Sequence, residues 1–208
     1  HKIAISLREK RKERGAVVTD LPEIKLKISE GQVSVEKNFV TTGHVVVSEC
    51  MILFNSALAK FFSEKKIPGF FRVQPPPEEP LTASKEDPLY PLKVRWTVGS
   101  ASLSFEPGPH YSLGLDAYIQ GTSPIRRYTD LLMHRQLIQY LKTEEFSYTK
   151  EELMNIKILS ERMEKSIKFA EYSRFMFWLL KYLKQNRGKV FQAYVSRFLE
   201  NSRIMIFI

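Results

Sequence analysis

The sequence predicts an α+β fold with an antiparallel β core flanked by helices, and three patterns lead to this prediction. Apolar residues recur at intervals of three and four over 44–66 and again over 149–185, which is the spacing of amphipathic helices. Apolar and polar residues alternate in two short runs between 24 and 35, with a turn-like segment between them. The alternation returns over 189–208, which predicts a separate β unit at that end of the chain.

The composition predicts a folded and basic chain. Its 208 residues are 43% apolar and 12% aromatic, which is enough for a hydrophobic core and too much for a disordered chain. There are 32 Lys and Arg against 23 Asp and Glu, so the net charge is +9 and favours a polyanionic partner, with nucleic acid first. The single cysteine, Cys50, excludes a disulfide scaffold and a zinc site of several thiolates, and we expect it to be buried as a small hydrophobe.

The two ends of the sequence predict a piece of a longer protein. The chain begins without Met and stops inside the apolar alternation of 203–208. The first residues lack the pattern of a signal peptide, and no run of 18 or more apolar residues predicts a membrane-spanning helix. We therefore expect no membrane partner.

The first half of the chain predicts two helices, a hairpin and a connector. The segment 3–14 is rich in Arg, Lys and Glu and stops at a glycine, which is typical of a helix and its end. A hairpin is expected over 24–35. The helix of 44–66 ends before Pro68, and the Pro- and Glu-rich residues 74–91 predict an exposed connector.

The second half predicts an irregular segment followed by helices. Proline and glycine keep residues 106–121 irregular. Ser123 resembles an N-cap with proline at the first helical position, so a helix is predicted over 124–142. Thr149 and Glu152 have the spacing of a capping box at the start of the next helix.

Two adjacent arginines, Arg126 and Arg127, fall in the first turn of the predicted helix. Cations there oppose the helix dipole and destabilise the helix, unless a bound anion offsets their charge. The free N–H groups of that turn can bind such an anion. A phosphate is the obvious anion, because guanidinium groups bond its oxygens in pairs. The alternative is that both arginines are solvated, or paired with Asp130 at i+4 and i+3.

Residues 122–135, TSPIRRYTDLLMHR, resemble the signature near the end of the catalytic domain of the ribonuclease II/ribonuclease R family, the RNB domain. Further blocks resemble the family in the same order at 7–23, 47–55, 71–75 and 188–208. The last block resembles the opening of an OB-fold RNA-binding domain. The resemblance therefore implies the C-terminal part of an RNB-type catalytic domain over 1–187 and the first strands of a truncated OB-fold β-barrel over 188–208.

The resemblance also implies an activity. Members of the family are 3′→5′ exoribonucleases that hydrolyse single-stranded RNA to nucleoside 5′-monophosphates with Mg²⁺. Arg126 matches the arginine that clamps the scissile phosphate, and it is the predicted catalytic residue, because a fixed guanidinium neutralises charge that grows on phosphoryl oxygens. The predicted RNA-binding residues are Arg127, Tyr128, Glu49 and Arg135. The family has two adjacent carboxylates where this chain has Ser48 and Glu49.

The family's block of metal ligands, Asp-x-x-x-x-x-Asp-x-Asp-Asp, has no counterpart in this sequence. We expect the full-length protein to bind Mg²⁺ through ligands outside this chain, and the chain alone to be inactive. One alternative is a catalytically dead homologue that only binds RNA, and another is a structural or interaction fragment. The full-length protein is expected to be a monomer in the cytoplasm or the interior of an organelle.

Overall fold

The computed structural model describes residues 1–19, 23–79, 82, 84, 86–199 and 203–207. The helices are α1 (Lys2–Glu13), α2 (Thr42–Glu64), α3 (Tyr90–Val98), a short 3₁₀ turn (Tyr111–Leu113), α4 (Tyr128–Thr143) and α5 (Lys150–Gln185). The strands are β1 (Glu23–Ser29), β2 (Gln32–Asn38), β3 (Phe71–Val73), β4 (Ser102–Ser104), β5 (Tyr194–Phe198) and β6 (Ile204–Phe207).

The strands pair in twos. β1 lies antiparallel to β2, β3 to β4, and β5 to β6, within the part of the chain that the structure describes. The prediction of helices with antiparallel strands is confirmed. The prediction of an antiparallel β core is wrong for these residues, because the strands form three separate two-stranded sheets and the main hydrophobic core draws on α2, α4 and α5 as well as on β3 and β4.

The chain forms two compact units. Unit 1 contains residues 1–20, 40–76 and 100–169, and unit 2 contains residues 21–39, 77–99 and 170–208. The core of unit 1 joins α2, α4, the start of α5 and the β3–β4 pair. Its largest fully buried apolar side chains are Phe62, Phe70, Ile119, Leu132, Met133 and Leu153.

A buried amide fixes the connection between α4 and α5 in unit 1. Gln136 has no exposed surface, and its Nε2 donates to the carbonyl oxygens of Pro68 (2.9 Å) and Tyr148 (3.0 Å). Its Oε1 accepts the N–H of Tyr148 at 2.9 Å. A buried amide is stable when its hydrogen bonds are made, so Gln136 holds α4 against the loop that leads to α5.

Helix α2 is the central helix of unit 1. By length and composition alone it is apolar enough to cross a membrane, although it contains no unbroken run of 18 apolar residues. The expectation that the chain has no spanning helix stays a prediction. The buried polar residues of α2, Glu49 and Asn55, bond to other elements of unit 1, as in the core helix of a globular unit. Cys50 is exposed on α2, so the expectation that it is buried is wrong.

Helix α5 confirms its predicted capping box. The Glu152 N–H donates to Thr149 Oγ1 at 3.2 Å, and the Thr149 N–H donates to Glu152 Oε2 at 2.8 Å. These two bonds satisfy donors that have no partner inside the helix. The helix ends at Gln185, as the sequence predicts.

Unit 2 contains the predicted hairpin at 23–38. Glu30 and Gly31 have φ values of 49° and 78°, so both turn residues adopt the left-handed conformation that matches the twist of a two-residue hairpin. The side-chain amide of Gln185 accepts from the Val33 N–H (3.0 Å) and donates to the Gly31 carbonyl (3.1 Å). The hairpin is thereby tied to the end of α5 within unit 2.

The β5–β6 pair is also part of unit 2. Its register shifts between Val195 and Arg197, which marks a bulge or irregularity. The guanidinium of Arg197 lies 5.2 Å from the ring centroid of Trp96 on α3, which is the distance of a cation–π contact. Two antiparallel strands are therefore present where a β unit was predicted, and the assignment of 188–208 to an OB-fold stays a prediction.

Candidate active site

The signature segment forms a turn before helix α4. The N–H groups of Arg126 and Arg127 both donate to the carbonyl oxygen of Ser123, at 3.2 and 2.9 Å. Arg127 then has an extended backbone, with φ −122° and ψ 112°, and the helix begins at Tyr128. The prediction of a helix starting at Pro124 is therefore wrong, because an extended residue separates the turn from the helix. Both arginines precede the first helical turn and do not lie in it.

Arg126 is exposed at the edge of a groove in unit 1. Within the described residues its guanidinium has no hydrogen bond and no ion pair. The groove lies between the start of α4 and α5 and has a volume of about 460 Å³. Its lining residues are Arg126, Arg127, Tyr128, Thr129, Ile156, Leu159, Ser160, Met163, Glu164 and Ile167. The predicted catalytic cation is thus free to meet an anion.

Arg127 has a different environment, although it also lines the groove. Its Nε and Nη2 donate to the same oxygen of Asp130, Oδ2, at 2.9 and 2.8 Å. Asp130 is fully buried in the first turn of α4. The sequence left open whether the arginines are paired with Asp130. The structure pairs Arg127 at i+3 and leaves Arg126 out, so the RNA contact of Arg127 stays a prediction.

Tyr128 and Arg135 are the predicted RNA contacts on α4 itself. Tyr128 is 54% exposed and lines the groove with Arg126. Arg135 is exposed, and its Nη1 donates to the hydroxyl of Tyr148 at 3.0 Å. This hydrogen bond raises the pKa of Arg135 above its ordinary value. The RNA contacts of Tyr128 and Arg135 stay predictions.

Glu49 is buried in a cluster of arginines. Its carboxylate accepts bonds from Arg11 Nε (3.0 Å) and Nη2 (2.6 Å) and from Arg8 Nε (3.2 Å), and only 1% of the residue is exposed. The remaining Nη1 of Arg11 donates to the carbonyl of Leu113 at 3.0 Å. Glu49 therefore joins α1 to α2, and its predicted RNA contact stays a prediction.

Asn55 fixes the segment that leads into the signature, and sequence reasoning gave it no role. Its Oδ1 accepts the N–H of Gly121 at 2.9 Å, and its Nδ2 donates to the hydroxyl of Tyr118 at 2.8 Å. The residue is 1% exposed. Burial also raises the pKa of Tyr118, which keeps the hydroxyl protonated. A polar residue in the middle of an otherwise apolar helix was the available signal.

The histidines of the segment act as structural groups. His110 N–H donates to the carbonyl of Leu115 at 2.8 Å, and the His110 ring packs edge-on against Tyr118. Burial lowers the pKa of His110, so the neutral form is favoured. His134 on α4 bonds through Nε2 to the carbonyl of Gly121, which adds a second tie between α4 and this segment.

The described residues do not fit a magnesium site. No group of three or more His, Cys, Asp or Glu side chains comes together among them. The one acid of the signature, Asp130, is bonded through Oδ2 to Arg127 and to the N–H of Ser123. Since Mg²⁺ needs several oxygen ligands at short distance, these residues supply no step through a metal.

The fold of this chain is similar to part of two solved structures. It superposes on RNase R of Mycoplasma genitalium in complex with ribose methylated single-stranded RNA, with a TM-score of 0.81 and 21% identity over 97% of this chain and 39% of that one. It superposes on the Dss1 exoribonuclease of Candida glabrata with a TM-score of 0.83 and 25% identity over 98% of this chain and 28% of that one.

The sequence comparisons identify the family. The RNB domain model matches residues 1–90 and 81–143, so the chain belongs to the RNB domain family. It is 33% identical to an uncharacterized ribonuclease of Synechocystis over 91% of this chain and 29% of the relative. It is 35% identical to the mitochondrial exoribonuclease II of Schizosaccharomyces pombe over 80% of this chain and 18% of the relative. The chain thus spans less than a third of the length of these two relatives.

Proposed function

We propose that the full-length protein is a 3′→5′ exoribonuclease that hydrolyses single-stranded RNA to nucleoside 5′-monophosphates. Membership of the RNB family and the relatives named exoribonuclease support this activity. The observation that carries the proposal is the exposed guanidinium of Arg126 on a groove, without an ion pair among the described residues.

Arg126 acts on the scissile phosphate. During hydrolysis, negative charge grows on the non-bridging oxygens, and a guanidinium held against them stabilises that charge more in the transition state than in the bound substrate. Its planar donors can bond two phosphate oxygens at once. Tyr128 and Arg135 are the proposed contacts to the rest of the RNA. Arg127 and Glu49 were also predicted to contact RNA, but their side chains are bonded to Asp130 and to Arg8 and Arg11.

The remaining parts of the proposal concern the full-length protein. Residues 1–187 are the C-terminal part of its catalytic domain, and residues 188–208 begin an OB-fold domain. Mg²⁺ is the proposed cofactor, with its ligands outside this chain, and this chain alone is proposed to be inactive. The protein acts as a monomer, with single-stranded RNA as its partner and without a membrane, in the cytoplasm or an organelle interior.

The proposal predicts that Arg126→Ala in the full-length protein lowers kcat by about two to four orders of magnitude, while the Kd for RNA changes by less than about tenfold. Rates come from single-turnover release of nucleotides from a single-stranded oligoribonucleotide, and Kd from fluorescence anisotropy. Arg162→Ala is the matched control, because Arg162 is exposed on α5 outside the groove. Equal losses in kcat and affinity would contradict a transition-state role.

The second candidate is a catalytically dead homologue that binds RNA. The net charge of +9 and the exposed guanidinium of Arg126 would serve RNA binding without hydrolysis equally well. The same assay separates the two functions. A wild-type protein that binds the oligonucleotide with Mg²⁺ present and releases no nucleotide is a binder, and one that releases 5′-monophosphates is an exoribonuclease.

A further inference from the structure

One carboxylate oxygen closes the turn that carries Arg126. Asp130 Oδ2 accepts the N–H of Ser123 at 2.9 Å, and it also accepts Arg127 Nε and Nη2 at 2.9 and 2.8 Å. Ser123 and Arg127 are the two ends of the turn. A single atom, fixed on the first turn of α4, therefore holds both ends in place.

The environment of this carboxylate makes the attachment rigid. Asp130 is fully buried, and its other oxygen, Oδ1, is buried without a protein partner within the described residues. The hydrogen bonds of its carboxylate therefore all converge on Oδ2. Charge-assisted bonds of this kind are short and directional, and α4 itself is anchored in the core by Leu132 and Met133. The position of the turn is therefore fixed by that of α4.

Arg126 lies between the two attached ends and makes no such bond. Its backbone N–H donates to Ser123, and its side chain extends to the groove. Fixing the backbone on both sides leaves the guanidinium only its own side-chain torsions. Preorganisation of a charged group by supporting contacts is worth about a hundredfold in rate when the group would otherwise be displaced by about 1 Å.

We propose that Asp130 is a positioning residue that aims Arg126 at the scissile phosphate, acting through Ser123 and Arg127 without touching RNA. This inference rests on the proposed exoribonuclease function. In this inference the Arg127 side chain helps to fix the backbone on one side of Arg126. If Asp130 only stabilised α4, the effect of its substitution on kcat would not depend on whether Arg126 is present.

The test is a double-mutant cycle in the full-length protein with Asp130→Asn and Arg126→Ala. Asparagine keeps the size of the side chain and loses its charge. We expect Asp130→Asn to lower kcat by about ten- to a hundredfold with the KM for a single-stranded oligoribonucleotide unchanged. In the Arg126→Ala background the same change should cost less than about threefold, because the group that it positions is gone. Asp116→Asn, at an exposed acid of the same segment, is the matched control.

The outcomes are distinct. Equal losses in both backgrounds mean that Asp130 acts independently of Arg126, and they overturn the inference while the proposed function stands. A wild-type protein without hydrolysis overturns both. If Asp130→Asn does not fold, as judged by circular dichroism, Arg127→Lys takes its place in the cycle, because lysine keeps the charge and cannot supply both Nε and Nη2. We then expect the losses in kcat from Arg127→Lys and Arg126→Ala to be non-additive in the same way. Additive losses would refute the inference.

Discussion

Gly121 shows how closely the segment before the signature packs against α2. A Cβ at this position would lie 2.8 Å from Leu58 Cδ2 and 3.2 Å from Phe54 Cε1. The backbone N–H of Gly121 is also bound by Asn55, so the backbone has little freedom to move away. Close approach of the chain to the helix therefore requires a residue without a side chain here.

We expect Gly121→Ala to lower the free energy of unfolding of the full-length protein by about 1–3 kcal/mol, because the added methyl overpacks the contact. Urea unfolding followed by circular dichroism measures the change. Gly43→Ala in the first turn of α2 is the control. Its Cβ would meet only Thr41 Oγ1 at 3.7 Å, an ordinary contact, and alanine favours the helix. A loss at Gly43 as large as that at Gly121 would contradict the packing argument.

Arg126 and Arg127 show how much of a site can be predicted from single residues of a sequence. Their charge and the proline before them indicate an anion site. Sequence spacing allowed either arginine to pair with Asp130, and only the extended backbone of Arg127 decides which does. The partners of Glu49 were equally hidden, since Arg11 lies 38 residues away in the chain. Long-range pairs leave no local pattern.

At the scale of elements, α1 is attached to α2 by the buried pair of Glu49 and Arg11. We expect Glu49→Gln to lower the free energy of unfolding by about 3–5 kcal/mol, because two arginines would lose their counter-charge in a buried site. Thermal and urea unfolding of the full-length protein measure this. Glu9→Gln is the control, since its pair with Lys12 is exposed and should change stability by less than about 1 kcal/mol. Similar small losses in both variants would show that the buried pair is dispensable.

Elements with strong local signals were predictable, and those set by tertiary contacts were not. α1, the β1–β2 hairpin, α2 and α5 lie close to their predicted ranges, because periodicity, caps and turn residues agree there. α3 lies partly within the predicted connector and was missed, since Pro91 and the residues before it resemble a loop. The start of α4 was placed too early, because Ser123 has the residue type of an N-cap and gives its N–H to Asp130 in the structure.

At the scale of the whole molecule, charge is the property that the sequence determines directly. The net charge of +9 follows from the composition alone. The predicted β core, in contrast, depended on which strands pair, and the sequence does not show that directly. Much of this charge is exposed. Lys10 on α1 and Arg14 just after it line a small cavity of about 160 Å³. Arg11 lines it as well, but its guanidinium is bonded to Glu49. Exposed cations attract polyanions through long-range forces that salt screens.

This charge predicts the salt response of RNA binding by the full-length protein. Each phosphate that a cation neutralises releases counterions, and the logarithm of the affinity falls with the logarithm of salt by about 0.7 per contact on a single strand. With roughly six contacts, a rise from about 50 to about 200 mM KCl should weaken binding of a single-stranded oligoribonucleotide roughly 300-fold. Fluorescence anisotropy measures the Kd at each concentration, and circular dichroism at the same concentrations checks that the protein stays folded. A Kd that hardly changes over this range in a folded protein would refute an electrostatic RNA interface, and the basic charge would then serve solubility alone.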